Sequence, residues 1–472
     1  MPLLRDSSGY LSQDTITAIA TEVGGAVAIV RTSGDQAFSI LQEVSLSRGS
    51  GLLEPRKMVL TRLYDKKGEV LDHALVVCFQ KPESYTGEDL VEYHVHGSRL
   101  ICHLLLERLI ELGARQALPG EFSLRGVRNG KMTLFQAQAV ADLVCATNRN
   151  ATALALEKMS GQENPLLSKL GTELRTLAVL GEVGIDFADQ DVDEVSLPKL
   201  QSRLNSIQKL LEKLRETYFR GVRIQNGISI GFIGLPNAGK SSFFNALLGE
   251  NRSIVSEMEG TTRDVVSESL TLRGQTKTVT VRLQDTAGLR ATQQRIEKLG
   301  VKRTEEIIRQ SDLILFLVDS SSDLSLSKKK WDELCTLSPL ENKVLGVLTK
   351  ADICSQEKLQ ITLESLKPMR IPKWIVTSSQ NGEGLSEAIE AILELCDTWT
   401  HRDRGELLLT QIHQLTAVTD ALMDLQRASE ASEIDLFASD IRQALHSLEP
   451  LIGQTVPDDI LGQIFSHFCI GK

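Results

Sequence analysis

The segment from Ile228 to Ser242 constrains this chain more than any other. An apolar run of strand type, Ile228 to Ile233, passes straight into Gly234-Leu-Pro-Asn-Ala-Gly239-Lys240-Ser241 and then into a helical run. That is the full G-x-x-x-x-G-K-S pattern in the strand–loop–helix context it requires. Glycines let the backbone wrap close to a polyphosphate, while successive N–H groups and the helix N-terminus point at its oxygens. Lys240 adds a point charge at the β and γ phosphates, Ser241 is placed to hold magnesium, and Ala238 and Ser242 belong to the same cradle.

A phosphate loop of this kind needs a parallel sheet behind it, and the pattern downstream supplies one. Strand-like runs at Val279 to Leu283, Leu313 to Val318, Lys343 to Leu348 and Lys373 to Val376 alternate with helical stretches, which predicts βαβ units. Asp285-Thr286-Ala287-Gly288 follows one strand. Its carboxylate can reach magnesium through water, and its glycine N–H can sense a γ-phosphate. Gly260-Thr261-Thr262-Arg263-Asp264 offers a threonine hydroxyl to the metal shell. Thr349-Lys350-Ala351-Asp352 follows another strand, and Asp352 can accept from both N1–H and the exocyclic amine, a paired donor edge that guanine alone offers. Ser378 and Ser379 would close the base pocket. These elements, in this order, resemble a Ras-like GTPase domain. Thr349 stands where that pattern usually has Asn, which predicts a weaker contact to guanine N7 and a weaker cross-link to the phosphate loop. Leu289 stands where Ras-like proteins place the glutamine that orients water, so another polar group must serve. Taken alone, Glu297 reads as a solvated helix residue.

The remaining pattern is of two kinds. From about 14 to 131, short β-rich runs mix with two helical ones, including Leu71 to Phe79, Leu90 to Val95 and the helix Ser98 to Leu112. From Thr133 to Arg223 the period is helical, opening on a T-x-x-Q capping box at Thr133 and Gln136, and Gly221 is the expected helix stop. The helical period returns after Thr400. Two helical blocks around one α/β unit predict that the unit is inserted into a single helical domain. The fold class expected is therefore multidomain α/β and all-α. Its segments are an N-terminal α+β domain over 1–131, helical segments over 132–226 and 386–472, and a GTPase domain with a mostly parallel sheet over 227–385.

Composition narrows the partners. Acidic residues number 62 against 52 basic ones, a net charge of −10 over 472 residues, so the chain does not coat nucleic acid by bulk charge. Any RNA must meet a local basic patch, and Lys199 to Arg223, with Lys199, Arg203, Lys209, Lys213, Arg215, Arg220 and Arg223, offers one beside the plainer reading of a solvated helix face. Seven cysteines are scattered with no C-x-x-C, which predicts reduced thiols in a cytoplasmic chain. No export signal or apolar span is expected. Asp189, Asp191 and Asp193 mimic an EF-hand start, but Glu194 and Leu200 stand where Gly and Glu are needed. His94 and His96 share a strand face without an evident third ligand and read as structural.

The segment Phe468-Cys469-Ile470-Gly471-Lys472 resembles the F-C-I-G-K signature of the tRNA-modifying GTPase MnmE (TrmE) family. Asp14-Thr15-Ile16, Ile29-Val30-Arg31-Thr32-Ser33-Gly34, Ser84-Tyr85-Thr86-Gly87-Glu88-Asp89 and Pro119-Gly120-Glu121-Phe122-Ser123 are similar to its N-terminal motifs, so the resemblance covers almost the whole chain. It implies a tetrahydrofolate-binding, dimerising N-terminal domain, a homodimer, and an FAD-dependent partner subunit, MnmG or GidA, in a heterotetrameric complex. It further implies C5 modification of the tRNA wobble uridine, with an aminomethyl or carboxymethylaminomethyl group whose one-carbon unit comes from methylenetetrahydrofolate.

By motif, the resemblance assigns Arg31, Glu92, Lys131 and Lys472 to folate. It assigns Asn237 and Thr261, with backbone oxygens of Ser256 and Met258, to potassium, and Thr262 with Ser241 to magnesium. Glu297 matches the family's water-orienting glutamate, which overrides its reading from the residues alone. Cys469 is either a nucleophile with a lowered pKa or a cysteine placed for packing. A rival function from another class is a GTP-switched RNA or ribosome-assembly factor, which would carry the same nucleotide loops.

Overall fold

The computed structural model describes residues 14–46, 54–146, 148–160, 165–186, 196–250, 268–274, 278–283, 300–337, 340, 343–403, 405–452, 464–465, 468 and 471. They belong to two compact units, one built from 1–145, 155–211 and 416–472, the other from 146–154 and 212–415.

In the first unit, β1 (Ile16–Ile19), β2 (Val27–Ser33), β3 (Val59–Tyr64), β4 (Val70–Phe79), β5 (Leu90–His96) and β6 (Arg115–Gln116) form one sheet in the order β3-β4-β5-β2-β1-β6. All neighbours are antiparallel except β1 and β6. The helices α1 (Ala37–Val44) and α2 (Arg99–Glu111) cover one face, where Ala28, Val30, Val91, Tyr93 and Val95 pack against Ile40, Leu41, Leu105 and Leu109. Strand residues alternate in direction. With Val30, Val91 and Tyr93 turned into that core, Arg31, Glu92 and His94 are placed on the opposite face.

A third short helix in this region, α3 (Glu121–Arg128), is one more than the sequence pattern suggests. Next come α4 (Leu134–Cys145), α5 (Arg149–Met159), α6 (Pro165–Asp186) and α7 (Leu197–Asn226). The capping box forms as its residues dictate: the Thr133 amide donates to Gln136 Oε1 at 2.8 Å and the Gln136 amide to Thr133 Oγ1 at 3.2 Å.

Gly221 does not end α7, which continues to Asn226. A Cβ on Gly221 would stand 2.0 Å from the carbonyl oxygen of Leu409, so this glycine permits a close approach of backbones. The stop is Gly227, whose φ of +78° suits a residue without Cβ.

In the second unit, β7 (Ile228–Gly234), β8 (Glu268–Arg273), β9 (Thr278–Leu283), β10 (Leu313–Asp319), β11 (Val344–Thr349) and β12 (Trp374–Val376) are ordered β12-β11-β10-β7-β9-β8. Every pairing is parallel except β8 with β9. The buried strands carry near-continuous apolar runs, as a sheet covered on both faces demands. One face packs on α8 (Lys240–Glu250) and, beyond α9 (Gly300–Gln310), α10 (Leu324–Leu337) and α11 (Gln356–Leu366), on α12 (Leu385–Thr400). The other packs on α9, α10 and α11.

The last two helices are α13 (Ile412–Glu430) and α14 (Ile434–Ile452). Helices α6 and α14, distant in sequence, pack together in the first unit, and Gly181 allows their contact because a Cβ there would stand 2.9 Å from the Ala438 side chain. The expected meeting of the two helical blocks is thus present.

Among the described residues none of the cysteines Cys78, Cys102, Cys145, Cys335, Cys354 and Cys396 forms a disulfide. Burial pushes the Cys78 thiol up to about 11 and that of Cys396 to about 12, so neither is a ready nucleophile.

Candidate functional site

The loop after β7 is held by its own backbone. Asn237 takes a left-handed φ of +63°, tolerable for asparagine, and Gly239 one of +79°. The Lys240 ammonium donates to the carbonyls of Gly234 at 2.9 Å and Leu235 at 2.7 Å. Burial pushes its pKa below the ordinary value. A half-buried ammonium that, among the described residues, meets carbonyl dipoles suits an arriving anion, which supplies a countercharge. The loop and helix start therefore fit a nucleotide polyphosphate.

The base-side loop follows β11. Thr349 is buried, and its hydroxyl lies 2.9 Å from the Ala238 carbonyl oxygen and 3.2 Å from that of Val318. The cross-link to the phosphate loop, expected to weaken with threonine here, is present. Lys350, at a left-handed φ of +59°, pairs with Asp319 at 2.6 Å. Burial alone would raise the Asp319 carboxyl. The Lys350 ammonium and two bonds from Ser321 outweigh it and hold the pKa below its ordinary 3.8. Asp352 is exposed and accepts from the Ser378 hydroxyl at 2.5 Å, which leaves its other oxygen for a base edge. Ser378 is buried and Ser379 half-buried beside it. The sequence pattern did not single out Asp319; its only signal is its place at the end of β10.

Ser256, Met258, Thr261, Thr262, Asp285, Thr286, Ala287, Gly288, Glu297, Cys469 and Lys472 lie outside the described residues. So do Leu289, Asp189, Asp191 and Asp193.

On the sheet face opposite the α1–α2 core, Arg31 and Glu92 are direct cross-strand neighbours. The guanidinium donates through Nε at 3.0 Å and Nη2 at 2.6 Å to a single carboxylate oxygen, Glu92 Oε1. It also lies over the rings of Tyr85 and Phe122, at 5.5 and 5.7 Å. Glu92 Oε2 remains, 3.4 Å from a buried His94 Nε2 that has no hydrogen-bond partner among the described residues. A carboxylate oxygen, a guanidinium and two aromatic faces fit a flat heterocycle with an amidine edge. Lys131 is exposed beside Gly87, in the same motif as Tyr85. Tyr85 and Phe122 belong to the two quoted motifs, yet nothing in their spacing marks them as neighbours of Arg31.

Those motifs are bound to one another. The hydroxyls of Tyr85 and Ser123 are 2.8 Å apart, Ser33 donates to Glu88, and Arg125 pairs with Glu88, Glu121 and Asp14. Arg115 adds pairs to Asp14 and to the buried Glu121. Phe465 and Phe468 pack against Gly120, and Gly471 against Ile19 and Ala20. His96, read as structural, is paired with the buried Asp72 at 2.8 Å.

Family profiles described as the MnmE helical domain and the GTP-binding protein TrmE N-terminus match residues 134–469 and 15–131. The chain is 35% identical over 467 residues to the tRNA modification GTPase MnmE of Synechococcus sp. (strain JA-3-3Ab), covering 97% of this chain and 98% of that one. It is 35% identical over 475 residues to the protein so named in Flavobacterium johnsoniae, covering 98% and 100%. A third, from Natranaerobius thermophilus, is 36% identical over 470 residues, covering 98% and 100%. Among the described residues no helix is long and apolar enough to cross a membrane.

Proposed function

The chain belongs to the MnmE family of tRNA modification GTPases, and from that premise we propose that its GTP hydrolysis is potassium-stimulated and drives C5 modification of the wobble uridine. The work is done as a cytoplasmic homodimer with the FAD-dependent subunit MnmG (GidA), and the group installed is aminomethyl or carboxymethylaminomethyl. The one-carbon unit comes from a methylenetetrahydrofolate bound on the N-terminal domain. The domain boundaries are those given above, at 131, 226 and 385.

In hydrolysis a water oxygen bonds to the γ-phosphorus and the bond to the β-phosphate oxygen breaks. Lys240 and the loop N–H groups of Gly234 to Ser242 hold the phosphates. Ser241 and Thr262 would hold magnesium, Asp285 would reach it through water, the Gly288 N–H would sense the γ-phosphate, and Glu297 would orient the water. Asn237, Ser256, Met258 and Thr261 would hold potassium, whose charge would offset that developing on the phosphates. Asp352, supported by Lys350 and the Ser378–Ser379 loop, reads guanine.

Arg31, Glu92, Lys131 and Lys472 hold the folate. The observation that carries this reading is the seating of the C-terminal signature on the N-terminal domain, with Phe468 at Gly120 and Gly471 at Ile19. Phe122, two residues from Gly120, lies under Arg31. Cys469, between Phe468 and Gly471 in sequence, is the candidate nucleophile, and its removal with tRNA modification as readout decides between that role and packing.

Equilibrium binding of 5-formyltetrahydrofolate tests the folate role, and well-folded protein that shows no saturable binding sinks it. GTPase rates measured in potassium and in sodium test the cation, and equal rates reject it. Full activity after Glu297→Ala rejects the water-orienting role. Wobble uridines that stay fully modified in cells lacking the chain reject the pathway as a whole.

A further inference from the structure

We propose that Thr349 positions the phosphate-binding backbone and takes no part in reading the base. Its hydroxyl has one hydrogen and two carbonyl acceptors, Ala238 O at 2.9 Å in the phosphate loop and Val318 O at 3.2 Å in β10. The nearer one belongs to the peptide between Ala238 and Gly239. That peptide is planar and trans, so fixing its oxygen on one side fixes the Gly239 N–H on the other. Thr349 is 2% exposed and packs against Gly239. The Gly239 N–H is therefore turned away from Thr349, in position to donate to a phosphate.

The rest of the side chain is committed to the same contact. A Cβ built on Gly239 would stand 3.3 Å from both Cβ and Oγ1 of Thr349 and 3.5 Å from its methyl group, so the threonine is seated directly against the loop. A threonine has no second donor to extend toward guanine N7, since its single proton is held between two backbone oxygens. Base discrimination falls to Asp352, whose carboxylate is braced by Ser378. One motif position thus serves the phosphates and the other serves the base. The loops stay coupled through a hydroxyl in place of an amide.

The test uses the full chain and its Thr349→Val and Thr349→Ser variants, with dissociation constants for GDP, 7-deaza-GDP and guanosine. Thr349→Val is expected to weaken GDP and 7-deaza-GDP alike by about tenfold, the effect of one orphaned buried carbonyl on a bound phosphate. Guanosine, which has no phosphate, keeps its affinity. Thr349→Ser, which retains the hydroxyl, restores GDP binding to within about threefold of the parent. The proposal is overturned if GDP binding is unchanged in Thr349→Val, if guanosine weakens as much as GDP, or if only GDP and not 7-deaza-GDP is affected. Should Thr349→Val not fold, the parent chain decides: equal affinity for GDP and 7-deaza-GDP supports the assignment, and a tenfold preference for GDP overturns it.

Discussion

The α-carbon of Gly471 lies against the carbonyl oxygen of Ile19, so closely that a Cβ there would stand 2.3 Å from it. With a φ of +95°, residue 471 is also held where a side chain is strained. Gly471→Ala must therefore lift this part of the chain off β1. The expected result is a loss of 5-formyltetrahydrofolate affinity of about tenfold, the scale of one such backbone strain, with intrinsic GTP hydrolysis retained. Parallel folate titrations and GTPase assays on one preparation check it, and unchanged folate binding contradicts the role given to this contact.

Asp352 is exposed, with one oxygen tied to Ser378. Replacing the carboxylate with an amide reverses half of its hydrogen-bonding character, so Asp352→Asn should prefer a base that presents a carbonyl where guanine presents its amine. Competition between GDP and XDP reads this directly. The variant is expected to favour XDP, and retained preference for GDP places guanine recognition elsewhere.

The Lys350–Asp319 pair at 2.6 Å holds the loop that carries Asp352. Asp319→Asn is expected to weaken GDP binding about fivefold, a charge-assisted bond reduced to a neutral one. The pH dependence has a definite sign. The folded-state pKa of Asp319 lies below the ordinary 3.8, so the pair's contribution is fully present above that value and is lost as pH falls through the lower, folded one. The difference in thermal midpoint between parent and Asp319→Asn should therefore hold above pH 3.8 and close below it. A difference that grows on acidification contradicts the pairing.

Gly221 sits inside α7, where replacing glycine by alanine ordinarily adds about 1 kcal/mol of stability. Here the new Cβ would meet the Leu409 carbonyl at 2.0 Å, a backbone atom that cannot rotate aside. Overpacking of this kind costs roughly 1–3 kcal/mol or more, so the clash wins. Gly221→Ala is expected to lower the unfolding midpoint, and a raised midpoint shows that α7 has room at that position.

Local pattern foresaw what local physics decides. The capping box at Thr133 and Gln136 needs only residues three apart, and the strand–loop–helix around Lys240 needs only one turn of backbone, so both could be read directly. The strands β1, β3, β6 and β8 are short or lack a distinctive apolar run, so the pattern alone does not mark them. Gly221 was misread because a glycine that ends a helix and one that admits a neighbour's backbone look alike in one dimension. Thr349 was read by comparison with asparagine, but what its hydroxyl reaches depends on Ala238 and Val318, which lie over a hundred and about thirty residues away.

The amino-acid order by itself determined the phosphate loop, the alternation that makes a parallel sheet and the family. Each rests on spacing within a dozen residues, or on motifs whose identity survives without coordinates. Only the tertiary structure decided that Arg31 donates through Nε and Nη2 to one oxygen of Glu92, that Tyr85 and Phe122 lie beneath it, that Phe468 reaches Gly120 and that Gly471 reaches β1. Such contacts join residues tens to hundreds of positions apart. They form when strand register and backbone packing bring those residues within a few ångströms, a distance that linear separation does not encode.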